Sequence, residues 1–211
     1  MKTYNVNFID DKEFAISGNG NHHNWNKASS LTDFSSPWDN KPIHKVEFKA
    51  LHNLEKVFFL FTVHDSQTYI HQTANINNSI NNSDRVELFF RTNASLNPYY
   101  CLEIDSTSRI MDFLAKPNKQ FNFNWKWPIN DIVVKSSVQS RFFTVEIAIN
   151  KSSLTKLGVL RSNRIETGIY RAKYNKQKNE TFKPTWITWV NPKTDTPNFH
   201  TPSSFGVLEL L

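Results

Sequence analysis

The sequence predicts an all-β protein, an antiparallel β-sandwich of jelly-roll or immunoglobulin-like form with one short helix. Three observations lead there. The chain of 211 residues carries 17 Phe, 6 Trp and 6 Tyr against 5 Gly, a bias that suits a pleated, half-buried surface better than a helix. Residues 84–105 alternate apolar and charged side chains twice, through Val86, Leu88, Phe90 and then Tyr100, Leu102, Ile104, which is the period of two strands with one buried face each. Short segments of the same kind recur along the chain between turn-forming clusters, as in a sandwich. A chain of this length can bury a sizeable core, and no shift in composition divides it, so residues 1–211 are expected to form a single domain.

In order, Thr3 to Phe8 reads as a first edge strand. Gly18 to Trp38 is rich in Asn, Ser and Gly, with Trp25, Leu31, Phe34 and Trp38 set into it, and predicts irregular chain pinned by large apolar groups. Val46 to Leu51 and Val57 to His64 form a strand pair; the apolar run VFFLFTV within the second implies a central strand covered on both faces. Asp65 to Ser83 is a long polar segment, the kind that is either functional or disordered. After the 84–105 hairpin, Arg109 to Ala115 is a strand, and Phe121 to Pro128 places Phe121, Phe123, Trp125 and Trp127 on one side as a packing stripe. Ile132 to Val138 and Phe142 to Ile149 form another hairpin, and Asn150 caps a helix over Lys151 to Leu157 that Gly158 ends. Thr167 to Tyr174, Trp186 to Val190 and Gly206 to Leu210 complete the strands.

Composition also excludes function classes. The net charge of +6 is scattered without a dense basic run, so a nucleic-acid partner is not expected. No apolar stretch reaches membrane-spanning length, and the first residues lack the apolar region of a secretory signal; as it stands the chain is expected to be cytoplasmic, or exported if a leader precedes it. Cys101 lies within a strand and reads as a buried, inert thiol, while the adjacent His22 and His23 point opposite ways on extended chain and make a poor ligand pair. Motifs for a nucleophile elbow, a phosphate loop or a zinc protease are absent.

What remains suits a sugar. A pyranose offers C–H faces for Trp or Tyr, and vicinal hydroxyls that match a carboxylate or a guanidinium fork. Arg85, Glu87, Arg91, Glu103 and Asp105 crowd the second face of the hairpin, either as a solvated exterior or as the polar floor of a site. Glu87 and Arg171 are expected to share that floor. Trp186 and Trp189 are an odd number of positions apart, so one faces the core and the other the ligand; the surface loop after Trp189 assigns Trp189 to the ligand and Trp186 to the core. Glu87 and Glu103 could also form a glycosidase carboxylate pair.

The segments SDRVELFF, YYCLEIDSTSRIMDF, TGIYRAKY, PTWITWV and NFHTPSSFGVLEL, with the earlier Trp25, Pro37, Trp38 and VFFLFTVHD, resemble the family 9 carbohydrate-binding modules and their relatives in the DOMON-like superfamily. The resemblance implies a non-catalytic sugar-binding sandwich that holds glycan ends between two tryptophans and carries structural calcium. It assigns Glu87 to sugar hydroxyls, places Arg109 near a sugar-contacting arginine, and fits Arg171 to a polar position of the later strand. It also implies a stacking Trp just before the Asp-x-Val-Glu strand, where this chain has Ile80 to Ser83; Trp189, or Phe199 with His200, would then supply that wall. Loops such as 65–83 would hold the calcium through oxygen ligands. A haem-binding DOMON domain, using Met111 with His64 or His200, is the alternative that the wider superfamily implies.

Overall fold

In the computed structural model, which describes residues 1–39 and 42–211, two sheets face each other across a shared apolar layer. The elements are β1 (Thr3–Phe8), β2 (Val46–His52), β3 (Lys56–Val63), α1 (Ile76–Asn81), β4 (Arg85–Arg91), β5 (Tyr99–Asp105), β6 (Ile110–Lys116) and β7 (Gln120–Asn122). They continue with β8 (Ile132–Val138), β9 (Phe143–Asn150), α2 (Lys151–Lys156), β10 (Leu160–Arg161), β11 (Arg164–Lys176), β12 (Phe182–Thr188) and β13 (Gly206–Leu210). The first sheet runs β7-β6-β5-β4-β11-β13-β1, with β10 and β12 also paired to β11; the second runs β1-β2-β3-β9-β8.

Strand β1 belongs to both sheets. Thr3 to Val6 pair with β13 and Asn7 and Phe8 with β2, in each case parallel, so the antiparallel expectation holds everywhere except at this one corner. A strand that changes sheets closes the sandwich edge and leaves fewer unpaired backbone groups there. Between the sheets, Val86, Leu88 and Phe90 of β4 meet Val57, Phe59 and Phe61 of β3, with the Phe59 and Phe90 rings 6.2 Å apart.

Both outer faces are covered as well. Ile9, Phe14, Ile16 and Trp25 pack on Leu51, Phe58 and Leu60, which accounts for the unbroken apolar run in β3. Trp25 donates through Nε1 to the buried Glu146 at 2.7 Å, satisfying a polar atom that burial would otherwise penalise. On the first sheet, loop residues Phe199 and Phe205 cover Phe89, Tyr99 and Tyr170. Every position of β4 and β5 is therefore buried, and the charged face of the hairpin is not a solvated exterior.

Several boundaries differ from expectation for local reasons. The polar segment before β4 holds a second helix, α1, started by Asn75, whose side chain accepts from the Asn78 N–H. The aromatic stripe of residues 121–127 is divided: β7 ends at Asn122 and the chain turns, so Trp125 and Trp127 enter the inter-sheet core while Phe121 and Phe123 stay on the outer face. Asn150 has the expected cap conformation, but its side chain donates to Asp131 and accepts no hydrogen bond from α2.

Candidate functional site

Cross-strand register decides which side chains share the outer face of the first sheet. Glu87 of β4 lies opposite Glu103 of β5 and Tyr170 of β11, and Arg85 lies opposite Ala172, which in turn faces Trp186 of β12. Residues directly opposite point the same way, so Arg85, Glu87, Glu103 and Trp186 converge. They form one side of a cavity of about 230 Å³, completed by Met111, Phe113, Phe121 and Phe123 and by Asn198 to His200 of the final loop.

The floor is ionic and buried. Arg85 Nε lies 2.9 Å from Glu87 Oε1 and 2.6 Å from Glu103 Oε2, with all three residues no more than 4 % exposed. These atoms are close enough to pair as charges, yet none makes a directed hydrogen bond with the others. Arg85 instead donates through Nη1 to the Asn81 carbonyl at 2.7 Å, and its guanidinium lies 5.5 Å from the Trp186 ring centroid, within cation–π range. Burial, reinforced by the charge of Glu103 and opposed by Arg85, pushes the Glu87 carboxyl up to about 8. Burial raises Glu103 too, against the pull of Arg85. Two carboxyls sharing one cation in a buried site hold a proton near neutrality.

The walls are aromatic. Trp186 stands edge-on to Phe199 at 5.6 Å and 87°, and Phe199 lies flat on Tyr170 at 4.0 Å and 8°. His200 stacks on Phe89 at 5.0 Å, lies 4.8 Å from Phe121, and pairs through Nδ1 with the Tyr99 hydroxyl at 2.9 Å. Burial, with Lys119 and Arg85 nearby, lowers His200 to about 3, so the imidazole is neutral. Phe121 and Phe123 rest on Phe113 at 5.2 and 4.8 Å and remain 36 and 42 % exposed.

Of the residues singled out from sequence, the structure brings Glu87, Phe199 and His200 to this cavity and places Arg109, Arg171 and Trp189 elsewhere. Arg171 lies opposite Val86 and Ile187, hence on the inner face; it is fully buried and ion-paired to Asp65. The residue of β11 that shares a face with Glu87 is Tyr170. The tryptophans are exchanged for the same reason: with Arg171 and Ile187 inward, Trp189 follows inward and Trp186 points out. Trp189 sits at 1 % exposure against Gly206, where a Cβ would come within 2.4 Å of the indole. The surface loop after Trp189 was no guide to parity. Arg109 donates through Nε to Asp105 at 2.6 Å and through Nη2 to the His71 carbonyl at 3.0 Å, stapling the 65–83 segment to the hairpin. Arg85 and Trp186 were legible as types but not as partners, because their convergence depends on the β4-β11-β12 register.

In the 65–84 segment the Asp65 and Asp84 carboxylates are already engaged by protein cations. Lys173 Nζ lies 2.9 Å from both Asp65 Oδ2 and Asp84 Oδ2, with Arg171 alongside, so two protein cations already fill the space between the carboxylates. Burial pushes Asp65 up, but Lys173, the Gln67 N–H and Arg171 together outweigh it and hold the carboxyl at about 2. Among the described residues, no three His, Cys, Asp or Glu side chains converge to hold a metal.

Comparison with known proteins places this geometry in context. The sequence profile of the family described as carbohydrate family 9 binding domain-like matches residues 16–211. A candidate carbohydrate-binding protein from Bacteroides uniformis superposes with a TM-score of 0.76 at 15 % identity, covering 100 % of this chain and 99 % of that one. A family 9 carbohydrate-binding module from Caldicellulosiruptor kristjanssonii, solved with glucose, gives 0.60 at 18 % identity over 100 % and 96 % of the two chains. The same organism's module with cellotriose gives 0.59 at 17 % identity over 99 % and 93 %. No curated protein sequence matches significantly.

Proposed function

The chain belongs to the carbohydrate family 9 binding domain-like family, and from that premise we propose that it is a non-catalytic module binding one saccharide ring in the Arg85–Glu87–Glu103 cavity. The observation that carries the reading is the buried ionic floor. Arg85 Nε lies between Glu87 Oε1 and Glu103 Oε2 at ion-pair distance but without good hydrogen-bond alignment to either, so all three groups keep hydrogen-bonding capacity that a ligand can complete. Vicinal hydroxyls both donate and accept, so a pyranose edge satisfies a guanidinium and two carboxyls together. Its C–H faces would lie against Trp186 on one side and Phe121 or Phe123 on the other. Phe199 and His200 support this wall, Phe199 by fixing Trp186 and His200 by holding the rim. The two Caldicellulosiruptor complexes lend support to a sugar as the ligand class.

The size and chemistry of the cavity favour this reading over its rivals. About 230 Å³ lies below the ~300–1,000 Å³ of drug-sized sites, which suits one sugar ring and not a porphyrin; Met111 and His200 both line the cavity, with His200 Nδ1 already paired to the Tyr99 hydroxyl, and His64 lies outside it. A glycosidase places its carboxyls on either side of the scissile bond. Here both belong to one floor and compress against one guanidinium, an arrangement built to hold a ring. Calcium is carried as a proposal by the family resemblance alone, with no role at the cavity. The test of the function is titration calorimetry of the wild type and Glu87→Ala against a panel of sugars. Saturable binding weakened in the variant by about 1.5–3 kcal/mol, the contribution of a charged hydrogen-bond partner, is expected; unchanged affinity would remove Glu87 from the site.

A further inference from the structure

Away from the sugar cavity, a lysine meets a histidine with no carboxylate between them. Lys151, the first residue of α2, places Nζ 2.8 Å from Nδ1 of His52, the last residue of β2. The imidazole is held in one tautomer. Its Nε2 lies 2.9 Å from the main-chain oxygen of Leu211, which can only accept, so Nε2 carries the hydrogen and Nδ1 keeps a lone pair. The Asn53 carbonyl, 3.4 Å from Nδ1, is the poorer partner. Phe8 packs against the ring at 5.4 Å and 64°. The amine therefore donates to Nδ1, which leaves its own lone pair free for the hollow of about 330 Å³ that Lys151 lines with Leu54, Glu55, Asn150 and Ser152. Lys2, Lys45, Lys49, Lys126, Lys173 and Lys176 are held differently, each within ion-pair distance of a carboxylate, which stabilises the charged, non-nucleophilic form. Among the described residues Lys151 has no such partner, although Glu55 lines the same hollow. Burial lowers the Lys151 ammonium from its ordinary value. Burial, with the charge of Lys151, also lowers His52 against the pull of the Leu211 and Asn53 oxygens, so the imidazole is neutral at pH 7.

We propose that Lys151 is a self-acylation site, with His52 as its general base, for small activated acyl groups: acyl phosphates or acyl thioesters. The neutral amine attacks the acyl carbonyl. A C–N bond forms, and the bond from the same carbon to the phosphate oxygen or the thioester sulfur breaks. The nitrogen sheds its proton to Nδ1, the leaving group departs as phosphate or thiolate, and the imidazolium returns the proton to water. The amide product keeps one N–H, which can still donate to Nδ1, so the modified side chain preserves the contact that the free amine made. Leu54, exposed at the edge of the hollow, offers an acyl chain an apolar neighbour. The hollow shares no lining residue with the sugar cavity, so this inference does not depend on the carbohydrate reading.

The experiment incubates the full chain near neutral pH with acetyl phosphate in one arm and acetyl-coenzyme A in the other, and follows each lysine by peptide mass spectrometry. In at least one arm Lys151 should be acetylated at least about tenfold faster than the exposed Lys12 and Lys178, a modest share of the ~10²–10⁴ that a positioned base contributes. The arm that responds identifies the leaving group. His52→Asn keeps an acceptor at the Nδ1 position but no base; it should bring Lys151 down to the rate of Lys12 and Lys178 and leave those two unchanged. Because His52 is buried, the wild type in urea is a second control, in which unfolding should erase the preference. A Lys151 no faster than Lys12 and Lys178 with both donors would overturn the proposal, as would a preference that survives in urea or is unchanged in folded His52→Asn.

Discussion

Replacing each of the two C-terminal tryptophans by alanine should separate stability from ligand response, because the register of β11 and β12 sends them to opposite faces. Trp189 is 1 % exposed in the inter-sheet core and seated on Gly206. Truncating such a side chain removes its transfer free energy and leaves a cavity, about 3–5 kcal/mol in all. At ~2–4 °C per kcal/mol for a domain of this size, the melting temperature should fall by about 6–20 °C. Trp186 is only half-buried, and its contacts are the edge of Phe199 and the Arg85 guanidinium. Those contribute about 0.5–1.5 and about 0.5–2 kcal/mol, so Trp186→Ala should cost about 1–3.5 kcal/mol, roughly 2–14 °C, and less than Trp189→Ala. The assay is thermal melting by circular dichroism alongside sugar-induced change in tryptophan fluorescence. Trp189→Ala should melt early and, below its melting point, keep the sugar response; Trp186→Ala should stay folded and lose it. A strongly destabilised Trp186→Ala with a ligand-blind, stable Trp189→Ala would refute the register argument.

The buried network makes further predictions. Glu87 is protonated more readily folded than unfolded, so its stabilising contribution is complete below the unfolded value near 4.5 and is lost as pH rises through about 8. His200 acts in the other direction and only below its ordinary 6.5; melting temperature should therefore fall between pH 6.5 and 8 in the wild type and fall less in Glu87→Gln. Asp65→Ala leaves two buried cations, Arg171 and Lys173, with Asp84 as their one remaining carboxylate, which should cost about 3–5 kcal/mol in a denaturant melt while native-state sugar affinity is unchanged. Because calcium is proposed from the family resemblance, a strong chelator should lower the melting temperature, since loss of a native-state ligand lowers stability; an unchanged value would remove the calcium proposal.

The sandwich was legible because alternation is a local property: Val86, Leu88 and Phe90 face inward in the sequence pattern and in the structure alike. The central, doubly covered place of β3 was legible in the same way, from VFFLFTV. The site was harder to read because it depends on how strands register. Parity within β11 offers two faces, Tyr170 with Ala172 or Arg171 with Lys173, and hydropathy favours burying the first pair between the sheets. The structure turns Arg171 inward because Asp65, distant in sequence, is there to neutralise it. That single choice carries Trp186 and Trp189 with it through the β12 pairing. Helix α1 was hidden because five asparagines give no apolar period; its only signal was Asn75 three residues ahead of Asn78, a cap without a hydrophobic run to follow. The division of the 121–127 aromatics likewise depended on a turn after Asn122 that contains neither Gly nor Pro.

The proposed sugar site is the Arg85–Glu87–Glu103 floor beneath Trp186. The most direct measurement is a glycan array probed in parallel with the wild-type chain and with Trp186→Ala at matched concentration and confirmed folding. The wild type should capture a defined set of saccharides, and Trp186→Ala should capture none of them. A wild type that binds no glycan, or a Trp186→Ala variant that binds the same set equally well, would contradict that assignment.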